Sequence, residues 1–476
     1  MNQNTCIDKP RENCGIMGIY GGANASELAY LGLHALQHRG QEASGIVTTD
    51  GDQVYRHIGT GLVNDIFNDP NILSGLKGHI AVGHNRYSTT GSSTLLNSQP
   101  ILVKSKQGSL AIAHNGNLTN YKSLRRELEN SGSIFQTTND SEVILHLAAR
   151  SKKNGIVEQL LDALRQVKGA FSLVFLTRNE LIVARDPYGV RPLALGKIGN
   201  TIIAASETCA LDLIGADYLR DVKPGELICF NQKGEFSTRI SEPVKPAHCI
   251  FEFVYFSRPD SRIFGEYVDK ARRKLGKNLA IGHSVDADIV ISVPDSSNTA
   301  AIGYSRRSDI KFDIGLIRNH YIGRTFIQPS QKTRDFHVRL KFNDVGGVLK
   351  DRRVVLVDDS IVRGTTIKHL VKMLRKAGAR EVHIRVSSPP IKHPCYYGMD
   401  FPSQGELIAD RMETEEIREY LGVDSLEYLT LEELLDSVPN GELGYCTACF
   451  SGNYPIPVEE KFEESDIEKE VTIQEI

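Results

Sequence analysis

Val354-Val355-Leu356-Val357-Asp358-Asp359-Ser360-Ile361-Val362-Arg363-Gly364-Thr365-Thr366 is the stretch on which the reading of this sequence turns. Four apolar residues in a row read as a strand buried on both faces, ended by two acids. A short loop follows. Ile367, Leu370, Val371 and Leu374 then recur at helical spacing, with Gly378 as the expected stop. Val382 to Val386 reads as the next strand. Strand, helix and strand in this order form a βαβ unit, which implies a parallel sheet. Ligands bind outside the carboxyl ends of strands in such sheets, and a helix start offers backbone N–H groups to a phosphate. Gly364 lets the main chain come close, Thr365 and Thr366 supply hydroxyls, and Asp358 and Asp359 can accept from ribose hydroxyls directly or through Mg²⁺. An acidic pair ahead of a helix is by itself more often an ordinary cap. The whole string carries the phosphate reading.

Working outward, Asp288 to Val293 is a second apolar strand, and it runs into Pro294-Asp295-Ser296-Ser297-Asn298. That loop alone would be a turn. Beside the first motif it reads as a diphosphate loop, with Ser296 on the Mg²⁺ side. Between the two lies Asn319-His320-Tyr321-Ile322-Gly323-Arg324-Thr325-Phe326-Ile327-Gln328-Pro329-Ser330-Gln331, followed by Arg334, Arg339 and Lys341. Its bland reading is a solvated basic loop. Its functional reading is a lid whose cations stabilise charge on a departing group and whose closure excludes water.

Further upstream the texture changes. Short apolar strands (Gly15 to Tyr20, Leu110 to Ala113, Ser172 to Thr177, Leu181 to Ala184) are broken by Gly, Asn and Asp, with helical patterns at Ala25 to Gln37 and Glu142 to Arg150. Between Lys223 and Ala247 the chain turns to Pro, Gly and charge, and a domain boundary is expected there. With 476 residues, the chain has room for two or three domains. Its net charge of −3 suggests no nucleic-acid or membrane-surface partner, and it has no apolar run long enough to span a bilayer. Met1 to Asn13 is polar and unlike a secretory signal, so a cytoplasmic location is expected. The eight cysteines are too sparse for a disulfide scaffold.

Cys14 opens Cys14-Gly15-Ile16-Met17-Gly18-Ile19, and alone it would pass for a core thiol. Four further segments change that: Leu36-Gln37-His38-Arg39-Gly40-Gln41-Glu42, Gly83-His84-Asn85-Arg86-Tyr87-Ser88-Thr89, Ala113-His114-Asn115-Gly116-Asn117-Leu118 and Asn139-Asp140-Ser141-Glu142. Together they resemble the N-terminal-nucleophile glutaminase domain, as the later string resembles the phosphoribosyl pyrophosphate signature of the type I phosphoribosyltransferases. The ordered set is similar to the amidophosphoribosyltransferase family over roughly residues 14 to 455.

The resemblance implies an α/β (α+β) chain: a propeptide at 1–13, an αββα glutamine amidotransferase domain at 14–245, a type I phosphoribosyltransferase parallel-sheet domain at 246–457, and a charged tail at 458–476. It implies transfer of ammonia from glutamine to phosphoribosyl pyrophosphate, the entry step of purine synthesis. Cys14 would be the nucleophile, with its own α-amino group as base, so the Asn13–Cys14 bond would have to be cut. Asn115 and Gly116 would form the oxyanion hole. Arg86 would hold the glutamine carboxylate and Asp140 its ammonium, with Arg39 and Thr89 supporting. Asp295, Ser296, Arg324, Asp358, Asp359, Ser360, Arg363, Gly364, Thr365 and Thr366 would take phosphoribosyl pyrophosphate, with Mg²⁺ at Ser296, Asp358 and Asp359. Feedback by purine nucleotides and a homotetramer come with the family. Taken singly, the bland readings are a surface Arg86, a helix-capping Asp140 and an Asn115-Gly116 turn.

Cys446-Thr447-Ala448-Cys449 is a C-x-x-C pair, with Cys249 and Cys395 upstream. Four thiolates can hold Zn²⁺ or an iron–sulfur cluster, and spacing does not choose between them. One branch of the family carries a [4Fe–4S] cluster at cysteines in these contexts together with a propeptide, so the resemblance implies a cluster on Cys249, Cys395, Cys446 and Cys449. Cys6, Cys209 and Cys229 read as bland thiols. The alternative is a non-catalytic phosphoribosyltransferase-fold purine sensor, for which the set of glutaminase residues would have no use.

Overall fold

The computed structural model describes residues 14–458 apart from 88–94, 107, 320–340, 400, 402–403 and 440–443. The leader at 1–13, Thr89, Arg324 with nearly all of the lid motif, and residues 459–476 of the expected tail lie outside the described residues. The rest divides into two compact units: 14–248 with 396–399 and 454–458, and 249–395 with 401–453. Two C-terminal segments expected in the second domain thus lie with the first.

The first unit has four layers. Its seven-stranded antiparallel sheet runs Asp217–Asp221, Ala194–Ile198, Thr201–Ala205, Gly15–Tyr20, Ile80–Arg86, Ala43–Thr49, Val54–Thr60. Its six-stranded antiparallel sheet runs Gly234–Arg239, Glu226–Asn231, Leu181–Arg185, Gly169–Leu176, Gly108–Leu118, Ile101–Ser105. Period-two alternation sorts the side chains between layers. In Gly169–Leu176, Phe171, Leu173 and Phe175 face the helices Tyr121–Asn130, Glu142–Arg150 and Ile156–Leu164, while Val174 and Leu176 fill the space between the sheets. In Gly15–Tyr20, Ile16 points between the sheets, and Met17 and Ile19 pack with Ala29 and Leu33 of the helix Ala25–Ala35. Burying each large aliphatic side chain stabilises the unit by about 1.5–3 kcal/mol.

The Pro-, Gly- and charge-rich stretch beginning at Lys223, where the domain boundary is expected, contains the strands Glu226–Asn231 and Gly234–Arg239 over its first part, and the division between the units falls just past its end, between His248 and Cys249. The second of these strands is an edge strand, largely exposed, and can carry charge. Asn115-Gly116 is no turn. The strand expected to end at Ala113 runs on to Leu118, with Asn115 opposite Ser172 and Gly116 opposite Phe171.

In the second unit, Ile289–Ser292, Arg353–Asp358, Glu381–Val386 and Ser425–Tyr428 form a parallel sheet in that order. The helix Thr365–Lys376 buries Ile367, Leu370, Val371 and Leu374, the residues its spacing picks out, against a core that includes Val354, Leu356, Val382 and Ile384. Gly378, at φ +95°, follows its end. No helix among the described residues is long and apolar enough to cross a membrane.

Candidate active sites

Cys14 stands immediately before the central strand Gly15–Tyr20, whose first residue pairs with Asn85 near the end of Ile80–Arg86. The residue is half-buried, but its thiol lies inside, donating to Tyr87 O at 3.5 Å. Burial pushes that thiol up to about 11, although the Tyr87 hydrogen bond and the nearby Arg86 guanidinium pull the other way. Glu42 and Asp140 also lie within electrostatic reach of it. A thiol so held needs a base to become a nucleophile.

Arg86 is 2% exposed, which removes the surface reading. Gly40 lies so close that a Cβ there would stand 2.8 Å from the Arg86 carbonyl. Asp140 does not cap the helix Glu142–Arg150 with its side chain, since Oδ2 accepts from Leu118 N at 2.9 Å and Oδ1 from Ser141 Oγ at 3.1 Å. Burial works to raise the Asp140 carboxyl, but His114, with Nδ1 3.5 Å away, and these donors outweigh it and leave the group below its ordinary value. Arg39, expected in support, is tied to a buried acid. Its Nε donates to Glu207 at 2.6 Å, both side chains are wholly buried, and His38 Nε2 lies 2.7 Å from the same oxygen. That nitrogen of Arg39 is therefore taken by Glu207. Glu207 escaped sequence reading because an acid between a strand and a short helix is unremarkable alone.

Asn115 is the most telling residue. Its side chain is fully buried, and neither Oδ1 nor Nδ2 has a hydrogen-bond partner among the described residues. A bare buried amide costs about 1–3 kcal/mol, so it calls for an explanation. The strand that carries it is fixed from both sides. His114 N donates to Gln99 Oε1 at 2.8 Å, and His84 Nε2 lies 3.1 Å from His114 O, which requires the proton on Nε2. Burial lowers His84 to about 3, so it stays neutral. Gly116 sits at φ +148°, where a Cβ would meet Ala170 O at 2.0 Å. Only glycine fits there. Thr89 lies outside the described residues.

In the second unit, the strand end and the loop expected to bind together are in contact. Ser297 Oγ bonds Asp358 Oδ1 and Asp359 Oδ2, both at 3.1 Å, Ser296 Oγ also donates to Asp359 Oδ2, and Ser360 Oγ donates to Asp359 Oδ1 at 2.7 Å. Asp358, Asp359 and Ser360 are buried, whereas Asp295 and Thr365 are exposed and Thr366 is buried. Gly364, at φ +79°, is the cap of Thr365–Lys376, and a Cβ on it would strike Ile408 Cδ1 at 2.7 Å. Arg363 is held by Glu406 at 2.6 and 2.9 Å. Sequence reading missed Ser297 as a bridge and Arg318, which lies 3.4 Å from Asp295. Arg324 lies outside the described residues.

The four expected cluster cysteines come from three segments of the second unit. Ile250 N donates to Cys446 O at 3.5 Å, and Lys392 N and His393 N donate to Cys449 O at 3.0 Å. Burial first, and then the neighbouring Cys446, Cys395 and Cys249, raise the Cys449 thiol well above its ordinary value. None of the four is in a disulfide. Among the described residues no three His, Cys, Asp or Glu side chains are grouped so as to hold a single metal ion.

By class, the fold is a glutamine amidotransferase domain joined to a parallel-sheet phosphoribosyltransferase-type domain. Residues 84–213 match the glutamine amidotransferase domain family. The chain is 50% identical to amidophosphoribosyltransferase of Bacillus subtilis over 452 residues, covering 94% of this chain and 95% of that one, and 51% identical to the chloroplastic amidophosphoribosyltransferase 2 of Arabidopsis thaliana, covering 95% and 81%. A solved structure of the B. subtilis glutamine phosphoribosylpyrophosphate amidotransferase, complexed with ADP and GMP, superposes with a TM-score of 0.89 at 49% identity, covering 94% of this chain and 98% of that one. This chain belongs to the amidophosphoribosyltransferase family, enzymes of purine biosynthesis. The sensor alternative is not favoured.

Proposed function

We propose that the chain makes 5-phosphoribosylamine, glutamate and pyrophosphate from glutamine, water and phosphoribosyl pyrophosphate, with the work divided between its two units. Removal of residues 1–13 would free the α-amino group of Cys14, whose ordinary pKa of about 7.7–8.0 suits a base at neutral pH. That amine takes the thiol proton as sulfur adds to the glutamine side-chain carbonyl. Arg86 binds the glutamine carboxylate with its planar fork, Asp140 binds the ammonium, and Arg39 and Thr89 support the pocket. Negative charge on the carbonyl oxygen falls on the Asn115 side chain and Gly116 N–H. Collapse expels ammonia and leaves a thioester, which water cleaves to glutamate.

In the second unit ammonia adds at C1 of the ribose, the bond to pyrophosphate breaks, and the nitrogen sheds a proton. Asp358 and Asp359 receive the ribose diol. Gly364, Thr365, Thr366, Ser360 and Arg363 cradle the 5-phosphate, and Asp295, Ser296 and the lid residue Arg324 face the diphosphate. The hard oxygen donors of Ser296, Asp358 and Asp359 suit Mg²⁺, which when bound neutralises diphosphate charge.

Four thiols that are in no disulfide share one electrostatic neighbourhood. Such a donor set suits zinc and an iron–sulfur cluster alike, and the family resemblance favours the cluster. Cys249, Cys395, Cys446 and Cys449 would hold a [4Fe–4S] cluster, which when bound supplies a covalent cross-link between three chain segments. Iron and sulfide content after anaerobic purification tests this; stoichiometric zinc would overturn it. Control by purine nucleotides is supported by the ADP and GMP in the B. subtilis structure. A cytoplasmic homotetramer completes the reading.

The bare, buried amide of Asn115 carries the glutaminase assignment. Pyrophosphate release is measured with glutamine or ammonia, wild type beside Cys14→Ala. The variant should respond to ammonia alone. A variant still driven by glutamine would end the assignment of Cys14.

A further inference from the structure

The strand carrying the oxyanion donors is not held by its own sheet alone. Two segments that arrive from far along the chain close over its last residues within the first unit. Gly398 lies main chain against main chain on Gly116. A Cβ on Gly398 would stand 2.9 Å from Gly116 C, 3.0 Å from its O and 3.1 Å from its Cα. Asn117 Nδ2 donates to Tyr396 O at 3.0 Å, and Thr119 Oγ1 donates to Pro457 O at 3.0 Å. Tyr397 locks the two segments to each other, its hydroxyl donating to Ile456 O at 2.6 Å while accepting from Ile456 N at 3.0 Å.

The segment is in turn fixed by a buried cation. Arg191 is fully buried, and its Nε and Nη2 both donate to Tyr397 O, at 3.1 and 2.7 Å. Two charge-assisted bonds to one carbonyl set the height of the Tyr397–Gly398 peptide. Arg191 is itself anchored from behind, since its carbonyl accepts from Arg185 Nε at 2.8 Å. Arg185 is a second fully buried guanidinium, which also donates to Val222 O and Gly189 O, both at 2.7 Å. So much buried hydrogen bonding calls for a purpose. The three atoms nearest a Cβ on Gly398 all belong to Gly116, a residue the chemistry needs.

We infer that Tyr396–Gly398, held down by Arg191, positions the Gly116 N–H and the Asn115 amide for the oxyanion of the glutaminase step. Arg191, Tyr397 and Gly398 are positioning residues, since they act through Gly116. The inference rests on the oxyanion assignment made above. An oxyanion hole works because its donors are fixed before charge develops, and a misplacement of about 1 Å can cost about 10²-fold. Gly398 must be glycine on two counts, its φ of +99° and the absence of room for a Cβ.

The test uses the full-length mature enzyme with four variants, Gly398→Ala, Arg191→Met, Arg191→Lys and Asn115→Ala. Gly398→Ala should lower glutamine-dependent kcat by about 10²-fold, with KM for glutamine within about two-fold and ammonia-dependent pyrophosphate release unchanged. Arg191→Met should fall in the same direction, and Arg191→Lys, which keeps one charged donor, should recover part of the loss. Alkylation of Cys14 by iodoacetamide builds no oxyanion, so its rate should match wild type in the Gly398 and Arg191 variants. A disrupted pocket would change it. Should Gly398→Ala fail to fold, the two Arg191 variants carry the test. Wild-type glutamine turnover in Arg191→Met, or equal loss of both nitrogen activities, overturns the inference. The Asn115→Ala variant separates the two failures: if it keeps full glutamine turnover, the oxyanion assignment falls, whereas if it is crippled while the Gly398 and Arg191 variants are not, only the positioning role falls.

Discussion

The glutamine pocket and the phosphoribosyl pocket leave their polar groups in opposite states. Asn115 is buried with both side-chain atoms bare, whereas Asp358 and Asp359, equally buried, carry the hydroxyls of Ser296, Ser297 and Ser360. Charge explains the difference. A neutral amide without a partner costs about 1–3 kcal/mol, which a well-packed fold can carry. A bare buried carboxylate would cost far more and would take up a proton instead. The first site can therefore wait empty with its donors already aimed. The second must satisfy itself with its own loop and exchange those partners for ligand.

The largest effect that could break this contrast comes from Asp359→Asn. Removing one charge should cut pyrophosphate release by at least the about 10²–10³-fold that one lost charge-stabilising group costs, with glutamine and ammonia alike. Asn115→Ala should cost a similar factor with glutamine alone. Steady-state rates with each nitrogen source read both. If Asp359→Asn spared ammonia-driven release, the division of labour between the units would be wrong.

A smaller effect sharpens the account of the glutamine side. His84 is buried and held neutral, lowered to about 3, whereas in the unfolded chain its pKa is about 6.5. Between those values the unfolded state binds the extra proton, so His84 subtracts stability as pH falls through that window. From pH 6.5 to pH 5 the loss is about 1.6 kcal/mol. Urea unfolding of wild type and His84→Gln at the two pH values should show wild type losing more by about that amount. Equal losses would mean that His84 takes up its proton in the fold as readily as in the unfolded chain, against the neutral state assigned to it.

What the sequence made legible follows from range. Patterns fixed by neighbours along the chain were readable: the apolar run Val354 to Val357, the helical spacing of Ile367 to Leu374, and the stop at Gly378. The pairing of Asp358 and Asp359 with the serine loop was readable because both motifs end adjacent parallel strands. Contacts that join distant segments left no local trace. Glu207 under Arg39, Ser297 across both acids, and Tyr397 over Arg191 are ordinary residues until the fold brings them together. The run of the strand through Asn115-Gly116 was hidden for a related reason. Locally it has the composition of a turn, and only its pairing with Ser172 and Phe171 makes it a strand.

The smallest expected effect bears on whether the second site also restrains its cations internally. Arg363, expected at the 5-phosphate, is tied to Glu406, and both side chains are partly exposed. An ion pair so exposed is worth about 0–1 kcal/mol, so it can tax ligand binding by no more than about five-fold. Glu406→Gln should lower KM for phosphoribosyl pyrophosphate within that limit and leave kcat unchanged, because the pair is broken before the chemical step. The gain should shrink at high salt, where the pair is already weakened. A rise in KM would mean that Glu406 holds Arg363 in its binding position rather than away from it. Internal partners at this site would then be scaffolding, and the exchange argued for Asp358 and Asp359 would not extend to the cation.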